Sequence, residues 1–97
     1  MKKYFFTIIT YDITDDRRRN LVAKELENYG YRVQYSVFEA LLERHEIMRL
    51  KHSLARLIER NEDSIRIYVL TKKSKREIIK LGIQKDTETQ EENYFIF

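Results

Sequence analysis

Residues 4–11 constrain the fold more than any other part of the chain, because this segment is β-rich and apolar on both of its faces. One face would carry Tyr4, Phe6 and Ile8, and the other would carry Phe5, Ile9 and Tyr11. A strand that is apolar on both faces is buried on both, so the segment predicts a central strand of a sheet.

Asp12 follows this strand directly, and a helix with acidic and basic residues in its first turn begins a few positions later. Backbone N–H groups at a helix N-terminus point outward and favour anions such as phosphate. The end of the strand is therefore the first place where we expect a functional site.

Length and composition indicate one domain spanning residues 1–97, in which residues 84–97 form a C-terminal tail. A chain of 97 residues with 42% hydrophobic residues has enough apolar surface for one core. It contains no cysteine, which excludes disulfides, thiolate metal sites and a cysteine nucleophile. No apolar run reaches membrane-spanning length and no signal peptide is visible, so we expect a cytoplasmic protein without membrane contact.

Charge is distributed unevenly along the chain. All 19 Lys and Arg residues lie within residues 1–85, whereas residues 86–97 contain Asp86, Glu88, Glu91 and Glu92 and no basic residue. A basic body with an acidic tail indicates either a polyanionic partner or a tail that covers a basic surface. Ordinary surface charge is the simpler alternative.

The rest of the first half of the chain predicts the bounds of the helix after Asp12 and further β structure. Asp15 or Asp16 caps a helix that ends at Gly30, which has the position of the C′ glycine that commonly terminates helices. Residues 31–42 are β-rich, and they form either one long bent strand or two strands around Tyr35-Ser36.

The second half predicts a helix, a strand and a short terminal strand. Residues 46–60 carry an apolar stripe of helical period, formed by Ile47, Leu50, Leu54, Leu57 and Ile58. Residues 64–70 alternate as a strand, residues 72–76 read as a basic turn, and residues 78–83 read as a short last strand. The apolar residues 94–97 should dock against another surface.

This order of elements fits an α+β ferredoxin-like sandwich, βαββαβ, with an antiparallel sheet. Right-handed crossovers place both helices on one face of the sheet, which leaves the second apolar face of the first strand uncovered. A second copy of the chain is the expected cover. We therefore predict a homodimer packed through its sheet faces, with the C-terminal strand docking on the partner.

Asp12 is the strongest candidate for chemistry. A dimer axis near the end of the first strand would bring two copies of Asp12 together, and two carboxylates with bound waters suit Mg²⁺, or alternatively Mn²⁺, beside a phosphodiester. The competing interpretation is that Asp12 only favours the start of the following helix through the helix dipole.

Three arginines, Arg17, Arg18 and Arg19, occupy the first turn of that helix, where cations are disfavoured. They imply acidic partners nearby or an anionic ligand. Arg18 falls toward the buried face and is expected to pair internally, with Glu25 or an acid of the turn. Arg17 points to solvent and is the better candidate for phosphate.

Basic residues also recur along the second predicted helix, opposite its apolar stripe, at His45, Arg49, His52, Arg56 and Arg60. This ridge predicts salt-dependent contacts with a nucleic-acid backbone through Arg49, Arg56 and Arg60. The alternative is an ordinary solvated helix face.

Two motifs stand out, Tyr11-Asp12-Ile13-Thr14-Asp15-Asp16 and Gln34-Tyr35-Ser36-Val37-Phe38, together with the strand Ser64-Ile65-Arg66-Ile67-Tyr68. In order and spacing they resemble the small CRISPR-associated protein family called Cas-two. The resemblance covers nearly the whole chain, and the pairing of the two motifs is more specific than either one alone.

The resemblance implies a ferredoxin-like homodimer in which Asp12 of each subunit is a shared Mg²⁺ ligand of an endonuclease acting on RNA or DNA. Tyr11, Arg19, Arg32 and Phe38 match positions linked to nuclease function in that family. The resemblance also implies a part in CRISPR spacer acquisition and antiviral defence, as the central dimer between copies of the CRISPR integrase.

Three functions therefore compete. The first is a metal-dependent endonuclease, and the second is a non-catalytic nucleic-acid-binding scaffold that bridges integrase subunits. The third is a regulatory or metabolite-binding module that shares only the fold. The basic body and the family motifs make the third the weakest.

Overall fold

The computed structural model describes residues 2–84. In chain order its elements are β1 (Tyr4–Asp12), α1 (Asp16–Glu27), β2 (Tyr31–Gln34), β3 (Val37–Glu43), α2 (Arg44–Leu57), β4 (Ser64–Leu70) and α3 (Lys72–Arg76). The four strands form one sheet in the order β2-β3-β1-β4, and every neighbouring pair is antiparallel. The predicted α+β ferredoxin-like fold is confirmed.

β1 is a central strand, as its sequence predicted. It pairs with β3 on one side and with β4 on the other. The side chain of Ile9 is fully buried on one face, and Phe6 on the opposite face is only 4% exposed. Burial on both faces explains why the strand carries no alternation of apolar and polar residues.

The core lies between the sheet and the helices α1 and α2. Its fully buried members come from the strands and from one stripe of each helix, and the largest are Phe38, Ile9, Leu26, Leu42, Leu50 and Val22. The opposite face of the sheet is here called the helix-free face because neither α1 nor α2 covers it, although Lys75 of the short α3 reaches Phe6 there. It carries Phe6, Ile8 and, by alternation along β1, Asp12. No helix among residues 2–84 is long and apolar enough to cross a bilayer.

The β-rich middle segment forms two strands joined at Tyr35-Ser36, which was one of the two predicted arrangements. The pairing register of β2 and β3 shifts between Arg32 and Gln34. A register shift of this kind is typical of a β-bulge, which bends the strand and increases its local twist.

Gly30 does not end α1 in the predicted way. The C-cap is Asn28 in a right-handed conformation, and Gly82 is the only residue with a positive φ among residues 2–84. A Cβ on Gly30 would lie 2.0 Å from the backbone oxygen of Glu39 and 2.7 Å from the Cβ of Ala40. Glycine is required because the backbone passes directly against β3.

The second helix is shorter than the predicted range 46–60 at its C-terminal end. α2 ends before Arg60, which lies in the turn that leads to β4, so the predicted ridge is interrupted. Ile58 leaves the helical conformation with ψ 160°. The Asp63 carboxylate accepts the backbone N–H of Glu59 at 2.8 Å and holds the turn in place.

Asp63 is in turn held by Arg18 of α1. The Arg18 Nε donates to Oδ2 of Asp63 at 2.8 Å, and Nη2 donates to Oδ1 at 3.3 Å. The Asp63 side chain has no exposed surface. Arg18 is internally paired, as expected, but its main partner comes from the turn between α2 and β4 rather than from Glu25.

This pairing shifts the ionisation of both groups. The hydrogen bond from Arg18, assisted by the N–H of Glu59, lowers the pKa of Asp63 below its usual value of 3.8. The same hydrogen bond raises the pKa of Arg18. Because the folded state favours the carboxylate, its contribution to stability is present above about pH 4 and is lost as the pH falls through the lowered pKa of Asp63.

We expect Asp63→Asn to lower the melting temperature at neutral pH and to flatten the loss of stability on acidification, as measured by circular dichroism melts across pH. The matched control is Glu62→Gln, because Glu62 is 59% exposed and lies 3.7 Å from the Arg18 guanidinium. That exposed pair should contribute little. This account would be contradicted if the melting temperature of Asp63→Asn fell as steeply at acidic pH as that of the wild-type protein.

The segment after β4 differs from the prediction. Residues 72–76 form the short helix α3 instead of a turn, because the Thr71 hydroxyl accepts the Ser74 N–H at 3.1 Å and caps it. Residues 78–83 are not a strand. They border a cavity of about 420 Å³ on the helix-free face and are not part of the four-stranded sheet. The predicted partner-docking strand and most of the tail lie outside the described residues.

Candidate active site

Asp12 is the last residue of β1 and its carboxylate is exposed to solvent. It pairs in register with Ser64 of β4. The chain then buries Ile13 in the core and starts α1, where the Asp15 carboxylate accepts the Arg18 N–H at 2.9 Å. Asp15 thus supplies the helix cap, which removes the simplest structural reason for an acid at Asp12.

A cavity of about 410 Å³ opens beside Asp12 at this end of the sheet. Its walls come from the end of β1, the start of α1 and the β2–β3 hairpin, and they are formed by Tyr11, Asp12, Ile13, Arg19, Asn20, Arg32, Tyr35 and Ser36. The fold therefore brings four of the predicted site residues, from three separate segments of the chain, to one concave surface.

A stack of three side chains supports one wall of this cavity. The rings of Tyr11 and Phe38 have centroids 6.3 Å apart, and the guanidinium carbon of Arg32 lies 5.3 Å from the Phe38 centroid. Phe38 is fully buried, so its ring presents no surface to a ligand. Phe38 therefore affects the site only indirectly, because its ring contacts fix the positions of Tyr11 and Arg32.

Arg19 organises the turn that follows Asp12. Its Nη1 donates to the backbone oxygen of Ile13 at 2.9 Å and to that of Thr14 at 3.4 Å, and its Nη2 pairs with Asp16. The side chain keeps 40% of its surface exposed. Arg19 therefore rigidifies the backbone beside Asp12 and still presents positive charge to the cavity.

The other predicted phosphate-binding residues lie elsewhere on the surface. Arg17, Arg49, Arg56 and Arg60 are all exposed, and none of them lines the cavity beside Asp12. Arg49 and Arg56 belong to α2, while Arg60 follows it. Their contact with nucleic acid stays a prediction.

The described part of the chain contains no cluster of three or more His, Asp or Glu residues that could hold a metal ion. Asp12 offers one carboxylate, whereas Mg²⁺ requires six oxygen ligands and commonly takes several of them from water and phosphate. The donor set fits Mg²⁺ only if substrate, water or a second copy of the chain completes it.

Sequence reasoning missed Tyr35 as a member of this site. An aromatic residue within a β-rich segment reads as part of a strand, and only the position of the turn reveals that its side chain is 92% exposed beside Asp12. Ser36 also lines the cavity, and its backbone oxygen accepts the Tyr11 N–H at 3.1 Å.

Comparison with known proteins gives consistent similarities. The family model described as CRISPR associated protein Cas2 matches residues 5–78. A CRISPR-associated endoribonuclease Cas2 of Chloroflexus aurantiacus is 47% identical over 78 residues, which cover 80% of this chain and 84% of that protein.

Two solved structures resemble the fold. The crystal structure of Streptococcus pyogenes Cas2 has a TM-score of 0.70 and 38% identity, and the match covers 79% of this chain and 99% of that one. A chain from a partial Cas6-RT-Cas1–Cas2 complex has a TM-score of 0.68 and 30% identity, and covers 79% and 90% respectively.

Proposed function

This chain belongs to the CRISPR-associated Cas2 family, and we propose that it is a Mg²⁺-dependent endonuclease of the CRISPR adaptation machinery. The substrate we favour is RNA, in line with the endoribonuclease name of its Chloroflexus relative, with DNA as the alternative. The setting is the cytoplasm, where spacer acquisition provides antiviral defence.

The observation that carries this proposal is the position of Asp12. Its carboxylate is exposed, it is not the cap of α1, and it shares a concave surface with Arg19 and Arg32. An acid beside guanidinium groups suits a phosphodiester, because the cations bind the phosphate while the carboxylate is available for a metal ion or a proton.

A homodimer would complete the metal site. Asp12 belongs by alternation to the helix-free face, which also carries the half-buried apolar side chains of Ile8 and Val37. Ile79 and Leu81 beside this face are 84% and 87% exposed. Packing two copies through this face would bury these apolar groups and bring the two Asp12 carboxylates toward one axis.

Each of the main residues of the proposed site then has a defined role. The paired Asp12 carboxylates would hold the ion, and Arg32 would bind the phosphate beside it. Arg19 would keep the turn after Asp12 in place, while Tyr11 and Phe38 would fix the hairpin wall. A bound Mg²⁺ would supply an activated water and stabilise the charge that develops on the phosphate.

Purified protein should cleave at least one member of a panel of labelled single-stranded and double-stranded RNAs and DNAs in Mg²⁺ and none of them in EDTA. Restoring Mg²⁺ or Mn²⁺ after chelation should restore cleavage, because the proposed site has only oxygen donors. Equal cleavage with and without EDTA would exclude the metal-dependent reaction, and no cleavage of any substrate would exclude the nuclease.

The second candidate is a nucleic-acid-binding scaffold that bridges copies of the integrase. Two observations favour it, namely the similarity to a chain of a complex that includes Cas1 and the exposed arginines Arg49 and Arg56 on α2. With Arg17 and Arg60 they would bind phosphates without reading sequence. The two functions can coexist, and they differ in whether the Asp12 carboxylate is needed.

A further inference from the structure

Tyr35 is the most exposed aromatic side chain among residues 2–84, with 92% of its surface open to solvent. It lies in the two-residue turn between β2 and β3 and lines the same cavity as Asp12 and Arg32. Tight hairpin turns favour Gly, Asn or Asp for steric reasons, so the geometry of the turn does not call for a large ring here.

The backbone that carries this ring is anchored to the core. The hydroxyl of Tyr11 donates to the backbone oxygen of Tyr35 at 3.2 Å, and the N–H of Tyr11 donates to the backbone oxygen of Ser36 at 3.1 Å. Tyr11 itself is buried and only 6% exposed. The ring of Tyr35 therefore projects into solvent from a fixed base.

A projecting aromatic ring beside a phosphate-binding surface is suited to stack on a nucleobase. Within a duplex both faces of each base are covered by neighbouring base pairs, so only an unpaired or terminal base can offer a face to the ring. A ring at this place therefore distinguishes single strands from duplexes without reading base identity.

We propose that Tyr35 stacks on an unpaired nucleobase of the nucleic acid bound at Asp12, and that it gives the protein a preference for single-stranded substrates. This inference rests on the proposed nuclease function, and it specifies the substrate class of the same site. Tyr35 acts as a positioning residue, because it places the neighbouring phosphodiester beside Asp12 and Arg32.

The test measures binding of fluorescein-labelled RNA and DNA single strands, and of their duplexes, by fluorescence anisotropy in an Asp12→Asn background that prevents cleavage. Tyr35→Ala should weaken single-strand binding about tenfold and leave duplex binding within about twofold. Tyr35→Trp should retain the affinity, whereas Tyr35→Leu, which keeps apolar bulk without a π face, should behave like Tyr35→Ala.

Oligonucleotides with abasic sites show whether the lost contact is a stack on a base. An abasic site near the cleavage position should weaken binding to the protein that retains Tyr35. It should not further weaken binding to Tyr35→Ala, because that variant has already lost the stacking contact. Equal losses for single strands and duplexes would overturn the proposal. So would a Tyr35→Ala protein that binds normally but dissociates more readily into monomers, which would make the ring an interface residue.

The outcome for the nuclease itself is read separately. If the wild-type protein cleaves the panel while Tyr35→Ala keeps the same substrate preference, the nuclease stands and the stacking proposal is wrong. If the wild-type protein cleaves nothing, the nuclease proposal fails whatever the Tyr35 variants bind.

Discussion

Asp12→Asn should cleave nucleic acid at least about 100-fold more slowly than the wild-type protein at saturating Mg²⁺, with its fold and the proposed dimer unchanged. The amide keeps the size of the side chain but removes the negative charge that a hard cation requires. Since Asp12 is exposed and is not the cap of α1, the substitution should leave the melting temperature nearly unaltered. Single-turnover cleavage rates and sedimentation equilibrium measure the two parts of this expectation.

Asp15→Asn is the matched control for this experiment. It makes the same chemical change a few residues away, and asparagine caps a helix about as well as aspartate does. Its cleavage rate should stay within about twofold of the wild type. Equal losses in both variants would mean that general negative charge, and not a ligand at Asp12, supports cleavage.

The same variant separates the two candidate functions. If Asp12→Asn loses cleavage but still supports spacer integration together with the integrase, the nuclease is real and dispensable for that process. If it changes neither cleavage nor integration, the catalytic role of Asp12 is excluded and the scaffold remains.

Gly30→Ala should destabilise the protein by about 3 kcal/mol, at the upper end of the usual cost of overpacking. The added Cβ would lie 2.0 Å from the backbone oxygen of Glu39 and 2.7 Å from the Cβ of Ala40. Neither is the tip of a flexible side chain, so the backbone of β2 or β3 must move. Chemical denaturation measures the loss as a lower midpoint at an unchanged slope.

Gly82→Ala is the control, because it separates backbone conformation from contact. Gly82 has a φ of 78°, and a Cβ added there would meet nothing within 4 Å. The cost should be about 1 kcal/mol or less, since only the left-handed conformation is disfavoured. A Gly30→Ala protein no less stable than Gly82→Ala would show that the approach to β3 is not a tight constraint.

Much of the fold could be predicted from the local pattern of apolar residues in the sequence. The two-sided apolar character of residues 4–11 predicted a central strand, and β1 lies between β3 and β4. Leu50 and Leu54 of the predicted apolar stripe are buried in α2. These predictions were confirmed because the side-chain periods of strands and helices decide which residues close in sequence share a buried face.

The errors arose where distant residues decide local structure. The end of α2 depends on Asp63, which Arg18 of α1 holds from the other side of the sequence. The role of Gly30 depends on how closely β3 approaches it. Neither interaction leaves a periodic signal in the sequence.

The sequence by itself determined the order of β1, α1, α2 and β4, much of the core and the choice of Asp12 as the leading acid. Only the tertiary structure brought Asp12, Arg19 and Arg32 to one cavity, divided residues 31–42 into two strands and exposed Tyr35 at the rim. The physical reason is that amphipathic period depends on neighbours along the chain. Which residues meet in a site depends instead on strand register and on the connections between segments that are far apart in the sequence.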